Sequence, residues 1–308
     1  MYSVKSLPNF LVIGAARAGT TALYNFLVQH PQIFMPQLKE PGFLMLEGTN
    51  LDNPYSNRDY SITDLNTYQG LFADAQSTHT AIGEATTGYL TSAGVIPRIQ
   101  KYMPEAKLIV LLRNPIDRAY SEWELLFRAG RETLSFAEVI AQEPKAPQSD
   151  LPWNPDERKY LRKGLYHAHL TRFYDNFDAE QISIHLYDDW RKKQLDVLSN
   201  IYAFLGVDPA FTPDTTIEHN VGGVPKNQML YNLIFGNKTL KQVAKRVVPT
   251  KQIKQVRGLF LDRSKEELTA EIRSQLTEYY HADVTALGAL LNRDLSGWLT
   301  PTPQGSAR

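Results

Sequence analysis

Residues 9–27 run Asn-Phe-Leu-Val-Ile-Gly-Ala-Ala-Arg-Ala-Gly-Thr-Thr-Ala-Leu-Tyr-Asn-Phe-Leu, and this stretch limits what the rest of the chain can become. Phe10 to Ile13 is an apolar run without Gly or Pro, which suits a strand buried on both faces. Gly14 and Gly19 bracket Ala15, Ala16, Arg17 and Ala18. Thr20 and Thr21 then open a helix whose apolar positions Leu23, Phe26 and Leu27 recur at helical spacing. A strand that turns through glycines into a helix gathers backbone N–H groups and a helix N-terminus in one concavity, a cradle for phosphate. The expected fold is α/β, with a central parallel sheet and flanking helices.

The Gly-x4-Gly spacing is that of a nucleotide P-loop, but the usual Lys after the second Gly is Thr20 here. The one cation inside the loop is Arg17, two residues before Gly19. Such a loop is poorly built for ATP hydrolysis. A plain close-packing turn is the other reading of the same residues.

Gly14-Ala15-Ala16-Arg17-Ala18-Gly19-Thr20-Thr21 resembles the 5′-phosphosulfate loop of sulfotransferases that use 3′-phosphoadenosine 5′-phosphosulfate (PAPS). The resemblance implies that these eight residues hold the 5′-phosphosulfate, with Arg17 also stabilising the leaving group. Further along, Lys39-Glu40-Pro41-Gly42-Phe43-Leu44 resembles the segment of heparan-sulfate-type carbohydrate sulfotransferases whose Glu is the catalytic base, which implies that role for Glu40. Pro41 disfavours the α region at Glu40, so an extended conformation is expected there. The alternative for Glu40 is a solvated loop acid paired with Lys39. Thr80 to Leu90 reads as a second strand and loop, resembling the family's Glu-Lys-Thr/Ser-Pro-x-Tyr-Phe segment, except that Ala85 stands where the heparan-sulfate enzymes carry Lys. Glu84 is a second candidate acid, equally suited to structural hydrogen bonding.

Lys107 to Leu112 is the clearest buried strand. An NTPase strand of this kind is expected to end in a magnesium-binding Asp, whereas this one ends in Arg113-Asn114-Pro115 and a helix to Arg128. Arg113 and Ser121 match the family's 3′-phosphate segment, strand-Arg-x-Pro-x-x-Arg-x-x-Ser, and a guanidinium fork plus a hydroxyl suits a phosphate. Arg118 reads as a structural or rim residue. Residues 141–157 are proline-rich and read as a loop or lid. Gly164-Leu165-Tyr166 opens a helix, and the resemblance implies that Tyr166 lies near the nucleotide. His167 and His169 are two apart and face different directions on a helix, so a shared metal is not expected. The strand Ile182–Tyr187 precedes Asp188-Asp189, an acidic pair that also admits a Walker-B reading. A helix with an apolar stripe follows to Leu205 and closes at Gly206. The loop His219-Asn220-Val221-Gly222-Gly223-Val224-Pro225-Lys226 resembles one that closes over PAPS, which implies a contact from Lys226; otherwise it is a solvent loop. The basic stretch 238–265 reads as a solvated helix face, or as a guide for an anionic acceptor.

Lys+Arg and Asp+Glu both number 33, so no global basic field suggests nucleic acid as a partner. The absence of cysteine excludes disulfides, thiol nucleophiles and cysteine–metal sites. No apolar run approaches the roughly 18–20 residues of a membrane span, and the first residues lack the apolar core of a signal peptide. The expectation is a cytoplasmic protein with one domain over residues 1–300 and a disordered tail at 301–308. Its expected activity is sulfuryl transfer from PAPS, without a metal, to a carbohydrate, lipid or small-molecule hydroxyl or amine. The alternatives are a P-loop kinase or NTPase and a non-catalytic nucleotide-binding protein.

Overall fold

The computed structural model describes residues 7–49, 62–129, 131–145, 158–215, 224–225, 261–262 and 268–300. Lys226, residues 146–157, most of the basic stretch and residues 301–308 lie outside the described residues.

The first strand, β1 (Phe10–Gly14), is buried at every position, as an apolar run flanked on both faces must be. It leads into α1 (Thr20–Leu27), whose Leu23, Phe26 and Leu27 face the core. A short β2 (Ile33–Phe34) and a single-turn α2 (Phe43–Leu46) follow. Then come α3 (Leu65–Gly70), capped by the Asp64 carboxylate on the Thr67 N–H, and β3 (Ala81–Ala85). The helix α4 (Val95–Tyr102) leads to β4 (Lys107–Leu112), which is succeeded by α5 (Pro115–Arg128) and α6 (Phe136–Gln142). Pro115 opens α5 while the Asn114 side chain accepts from the N–H groups of Ile116 and Asp117. The chain continues through α7 (Tyr166–Tyr174), β5 (Ile182–Leu186), α8 (Tyr187–Lys192) and α9 (Gln194–Leu205). Gly206 ends α9 at a left-handed φ of 80°, the glycine stop anticipated there. Two-residue strands β6 (Val224–Pro225) and β7 (Leu261–Asp262) pair antiparallel, and α10 (Ala270–Leu291) packs on α7 and α5.

Five strands form one sheet in the order β2-β3-β1-β4-β5, and every pairing within it is parallel. β1 is therefore central, and the chain winds outward from it in both directions. Ligands of open α/β sheets bind where the winding reverses, at the carboxyl ends of the strands. Here that edge carries the Gly14–Gly19 turn after β1, Thr86 and Thr87 after β3, Arg113 after β4 and Tyr187 after β5. The stretch most informative in the sequence is thus also the geometric centre of the sheet's working edge.

Candidate active site

The turn after β1 is pinned at its base, where the Ala15 N–H donates to the Leu111 carbonyl at 2.8 Å and the Ala18 N–H to the Ala15 carbonyl at 3.2 Å. Gly19 caps α1 at a φ of 96° and offers no side-chain acceptor to the first turn. The N–H groups of Gly19, Thr20 and Thr21 consequently have no acceptor among the described residues. Gly19 also sits close to its neighbours, because a Cβ there would lie 3.1 Å from the Tyr187 ring. Arg17 holds a φ of 69°, a conformation that costs a non-glycine residue about 1–2 kcal/mol.

Arg17, Arg113 and Ser121 come together over this turn, although 104 positions separate the first from the last. The Arg17 Nε donates to Ser121 Oγ at 3.2 Å, and Arg113 Nη1 donates to the Arg17 carbonyl at 3.2 Å. The Arg113 guanidinium in turn lies over the Tyr187 ring, 5.1 Å from its centroid, and the Tyr166 hydroxyl donates to the Arg113 carbonyl at 2.9 Å. Arg17 is exposed to solvent. Desolvation by the surrounding protein still lowers its pKa, against the pull of Glu122 and with the push of Arg113, and the group stays cationic at neutral pH. Tyr187 did not stand out in the sequence. Its one signal was position, an aromatic residue immediately after a buried strand.

Glu40 lies on the loop between β2 and α2, at a φ of 61°. The extended conformation expected from Pro41 is therefore replaced by a left-handed one. Proline disfavours the right-handed helical region before it but does not choose between the others. The choice is made by tethers to β3, since the Glu40 N–H donates to the Ala85 carbonyl at 2.9 Å. The carboxylate accepts from the Thr87 N–H at 2.7 Å, from the Thr87 hydroxyl at 3.2 Å and from Lys39 Nζ at 2.5 Å. The Lys39 pairing considered from sequence is present, but the Glu40 side chain is only 12% exposed, which removes the solvated-acid reading.

Glu84 is fully buried behind this loop. Tyr89 and Tyr68 donate to its Oε1 at 2.6 and 3.2 Å, and Thr86 donates to Oε2 at 2.7 Å. Burial pushes its pKa up to about 7 against the pull of those hydroxyls, and the nearby Glu40 charge adds to the rise.

The floor beneath Ser121 is a buried ion cluster. Arg118, the residue read as structural or rim, has no exposed surface and is structural. It donates to Glu122 at 2.6 Å and also to the Tyr160 carbonyl, while Lys163 Nζ reaches the other Glu122 oxygen at 2.6 Å. Burial alone would raise the Glu122 pKa; Lys163 and Arg118 overturn that and bring it down to about 2, from 4.5. A carboxylate with a lowered folded-state pKa binds fewer protons folded than unfolded. Its stabilisation is whole above pH 4.5 and is lost as pH falls toward 2. We expect urea midpoints between pH 6 and pH 2 to fall mainly below pH 4.5, with Glu122 contributing on the order of 3 kcal/mol. A midpoint that stays flat through this range would contradict the cluster's role.

The acidic pair after β5 has other partners than a metal. Asp188 accepts from Trp298 Nε1 at 2.8 Å and Asp189 pairs with Arg293 at 2.9 Å, so both fasten the C-terminal segment. The two histidines diverge as expected. The His169 ring contacts the Arg162 carbonyl and Arg172, and the His167 backbone N–H donates to Asp283.

A parallel sheet with a glycine turn and cations at its centre is shared by several enzyme classes, and the sequence match decides between them. The model of the sulfotransferase family matches residues 8–213. The chain belongs to the sulfotransferase family. The match spans β1 to the end of α9 and includes Arg17, Glu40, Glu84, Arg113, Ser121, Tyr166 and Tyr187. Among relatives, bifunctional heparan sulfate N-deacetylase/N-sulfotransferase 1 of Xenopus laevis is 28% identical over 300 residues, covering 95% of this chain and 31% of that protein. Bifunctional heparan sulfate N-deacetylase/N-sulfotransferase 3 of Homo sapiens is 32% identical over 210 residues, covering 67% of this chain and 23% of that protein. The sulfotransferase thus spans less than a third of the length of these curated relatives. The crystal structure of a sulfotransferase from Alicyclobacillus acidocaldarius matches with a TM-score of 0.70 and 30% identity, over 96% of this chain and 100% of that one. The fold is accordingly the P-loop-like sulfotransferase fold. Among the described residues no helix is long and apolar enough to cross a membrane.

Proposed function

We propose that this sulfotransferase moves a sulfuryl group from PAPS to a hydroxyl or amine, with Glu40 as general base and Arg17 as the charge that stabilises the leaving group. The observation that carries the reading is the shared strain of Arg17 and Glu40. Both hold left-handed backbone, at φ of 69° and 61°, Arg17 on the turn after β1 and Glu40 on a loop tethered to the end of β3. Non-glycine residues keep such conformations where the surrounding fold over-determines them, commonly at functional sites.

The residues fit the nucleotide. The unpartnered first-turn N–H groups of Gly19, Thr20 and Thr21 suit the 5′-phosphosulfate, together with Gly14, Ala15, Ala16 and Ala18 of the same turn. Arg113 and Ser121 supply the cation and hydroxyl for the 3′-phosphate, and Tyr166 steadies the Arg113 backbone. Lys226 would close over the nucleotide from outside the described residues. When bound, PAPS supplies the sulfuryl group and a bisphosphate leaving group. Arg17 meets the charge that builds on that leaving group, as a fixed cation that never yields its proton. Glu40 takes the acceptor's proton, oriented for it by Thr87.

For the acceptor, the relatives named heparan sulfate N-sulfotransferases favour a glycan amine or hydroxyl over a lipid or small molecule. Ala85, which stands where the resemblance expects a Lys, is buried, so the acceptor side departs from that pattern. The zero net charge favours an enzyme without a nucleic-acid partner. Isothermal titration with 3′-phosphoadenosine 5′-phosphate, beside ADP and ATP with magnesium, tests the donor. We expect tight binding of the bisphosphate in the absence of metal. Binding of ATP with magnesium alone would move the reading to a kinase.

A further inference from the structure

The loop that carries Glu40 is held by three of its own alternate N–H groups. Glu40 donates to the Ala85 carbonyl at 2.9 Å, Gly42 to Thr86 Oγ1 at 3.2 Å and Leu44 to the Tyr89 hydroxyl at 3.3 Å. The last two acceptors are hydroxyls, and a hydroxyl can point its proton either way. Both point it at the same buried group, since Thr86 donates to Glu84 Oε2 at 2.7 Å and Tyr89 donates to Glu84 Oε1 at 2.6 Å. With their protons committed there, the lone pairs of both are turned toward the Glu40 loop. A third hydroxyl on Glu84, that of Tyr68, belongs to a ring stacked on Phe43 of the same loop, with centroids 4.4 Å apart.

From this arrangement we infer that Glu84 is a positioning residue for Glu40, acting through Thr86, Tyr89 and Tyr68 to fix the loop that presents the general base. The inference rests on the proposed role of Glu40. Glu84 itself has no exposed surface and reaches no substrate, so its effect is on geometry. The Thr86–Thr87 pair makes the coupling short. Thr86 faces the buried carboxylate while Thr87, one residue on, holds the Glu40 carboxylate through its N–H and hydroxyl. A carboxylate accepts from all three hydroxyls at once. A carboxamide presents N–H groups on one side, which forces at least one hydroxyl to turn its proton elsewhere. The loop amide facing that hydroxyl then competes with the amide for its lone pairs.

The test compares Glu84→Gln, Thr86→Val and Tyr89→Phe with the wild type in three readouts. These are titration of 3′-phosphoadenosine 5′-phosphate, turnover of PAPS with an amine-bearing glycan acceptor, and hydrogen exchange at the amides of Gly42 and Leu44. We expect bisphosphate affinity to stay within about threefold, because the nucleotide residues lie on the turn after β1, at the start of α1, directly after β4 and on α5 and α7, not on the Glu40 loop. Turnover should fall by about 10- to 100-fold, as a misplaced base implies. Exchange at Gly42 should quicken in Glu84→Gln and Thr86→Val, and at Leu44 in Glu84→Gln and Tyr89→Phe. Thr86→Ser, which keeps the hydroxyl, should recover most of the turnover lost in Thr86→Val. Wild-type turnover in all three variants would overturn the inference, as would bisphosphate affinity that falls in step with turnover, the mark of general loosening. If the wild type neither binds the bisphosphate nor consumes PAPS, the proposed function fails instead, and the exchange data still decide whether Glu84 fixes the loop.

Discussion

Glu40→Gln should leave the sulfotransferase able to bind 3′-phosphoadenosine 5′-phosphate and nearly unable to transfer sulfate. The substitution is close to isosteric, and the Gln carbonyl can still accept from the Thr87 N–H that now meets the carboxylate at 2.7 Å. The loop should therefore keep its course, including the left-handed backbone at position 40. What disappears is the group proposed to take the acceptor's proton, an effect commonly worth about 10²–10⁴ in rate. Lys39 also loses its anionic partner. We expect kcat to fall by about that factor while bisphosphate affinity changes by no more than a few-fold. Bisphosphate release from PAPS, followed with and without acceptor, provides the check. Wild-type turnover in Glu40→Gln would remove Glu40 from the role of base. Glu84 is fully buried and could not replace it without moving.

Glu40 also marks the limit of what the sequence conveys. The glycine turn between β1 and α1 was legible because it is local. A strand, two glycines and a helix start fall within 20 positions, and their periodicities and left-handed glycine need no distant partner. The same holds for Pro115 at the start of α5 and Gly206 at the end of α9. Glu40 was legible as a residue but not as a conformation, because its φ is set by bonds to Ala85, Thr86 and Tyr89 that only the folded sheet brings near. Tyr187 shows the same limit more strongly. It lies beneath Arg113 and beside Gly19 only because the strand order seats β4 between β1 and β5. No spacing in the chain encodes that order. Arg118 is an intermediate case. Its pairing with Glu122 at i,i+4 is readable from a helix, but its bond to the Tyr160 carbonyl, 42 positions away, is what requires burial. The acidic pair Asp188-Asp189 misleads for a related reason. Two acids after a strand have one spacing whether they face a metal or, as here, hold Trp298 and Arg293.

Arg113→Ala should have the opposite signature to Glu40→Gln, losing the nucleotide first. Arg113 ends a fully parallel strand at the sheet's working edge, with its guanidinium held over Tyr187 and one N–H donated to the Arg17 carbonyl. Removing it takes away the cation proposed for the 3′-phosphate. It also takes away a tether of the strained Arg17, so the 5′ side of the site should loosen too. A hydrogen bond to a charged group is worth about 1.5–3 kcal/mol, and the loss of one to two such bonds corresponds to bisphosphate affinity falling by about 10²-fold or more. Titration should show that loss directly. Melting temperature should change little, because Arg113 is only partly buried and carries no salt bridge among the described residues. Arg113→Lys separates charge from shape. Lysine keeps the positive charge but offers no planar fork for a phosphate and no flat face for Tyr187, so it should restore only part of the affinity. Restoration by Lys to the wild-type level would mean that Arg113 acts as a point charge alone. Unchanged affinity in Arg113→Ala would shift the 3′-phosphate away from β4 altogether, and would leave Ser121 as a partner of Arg17 rather than of the nucleotide.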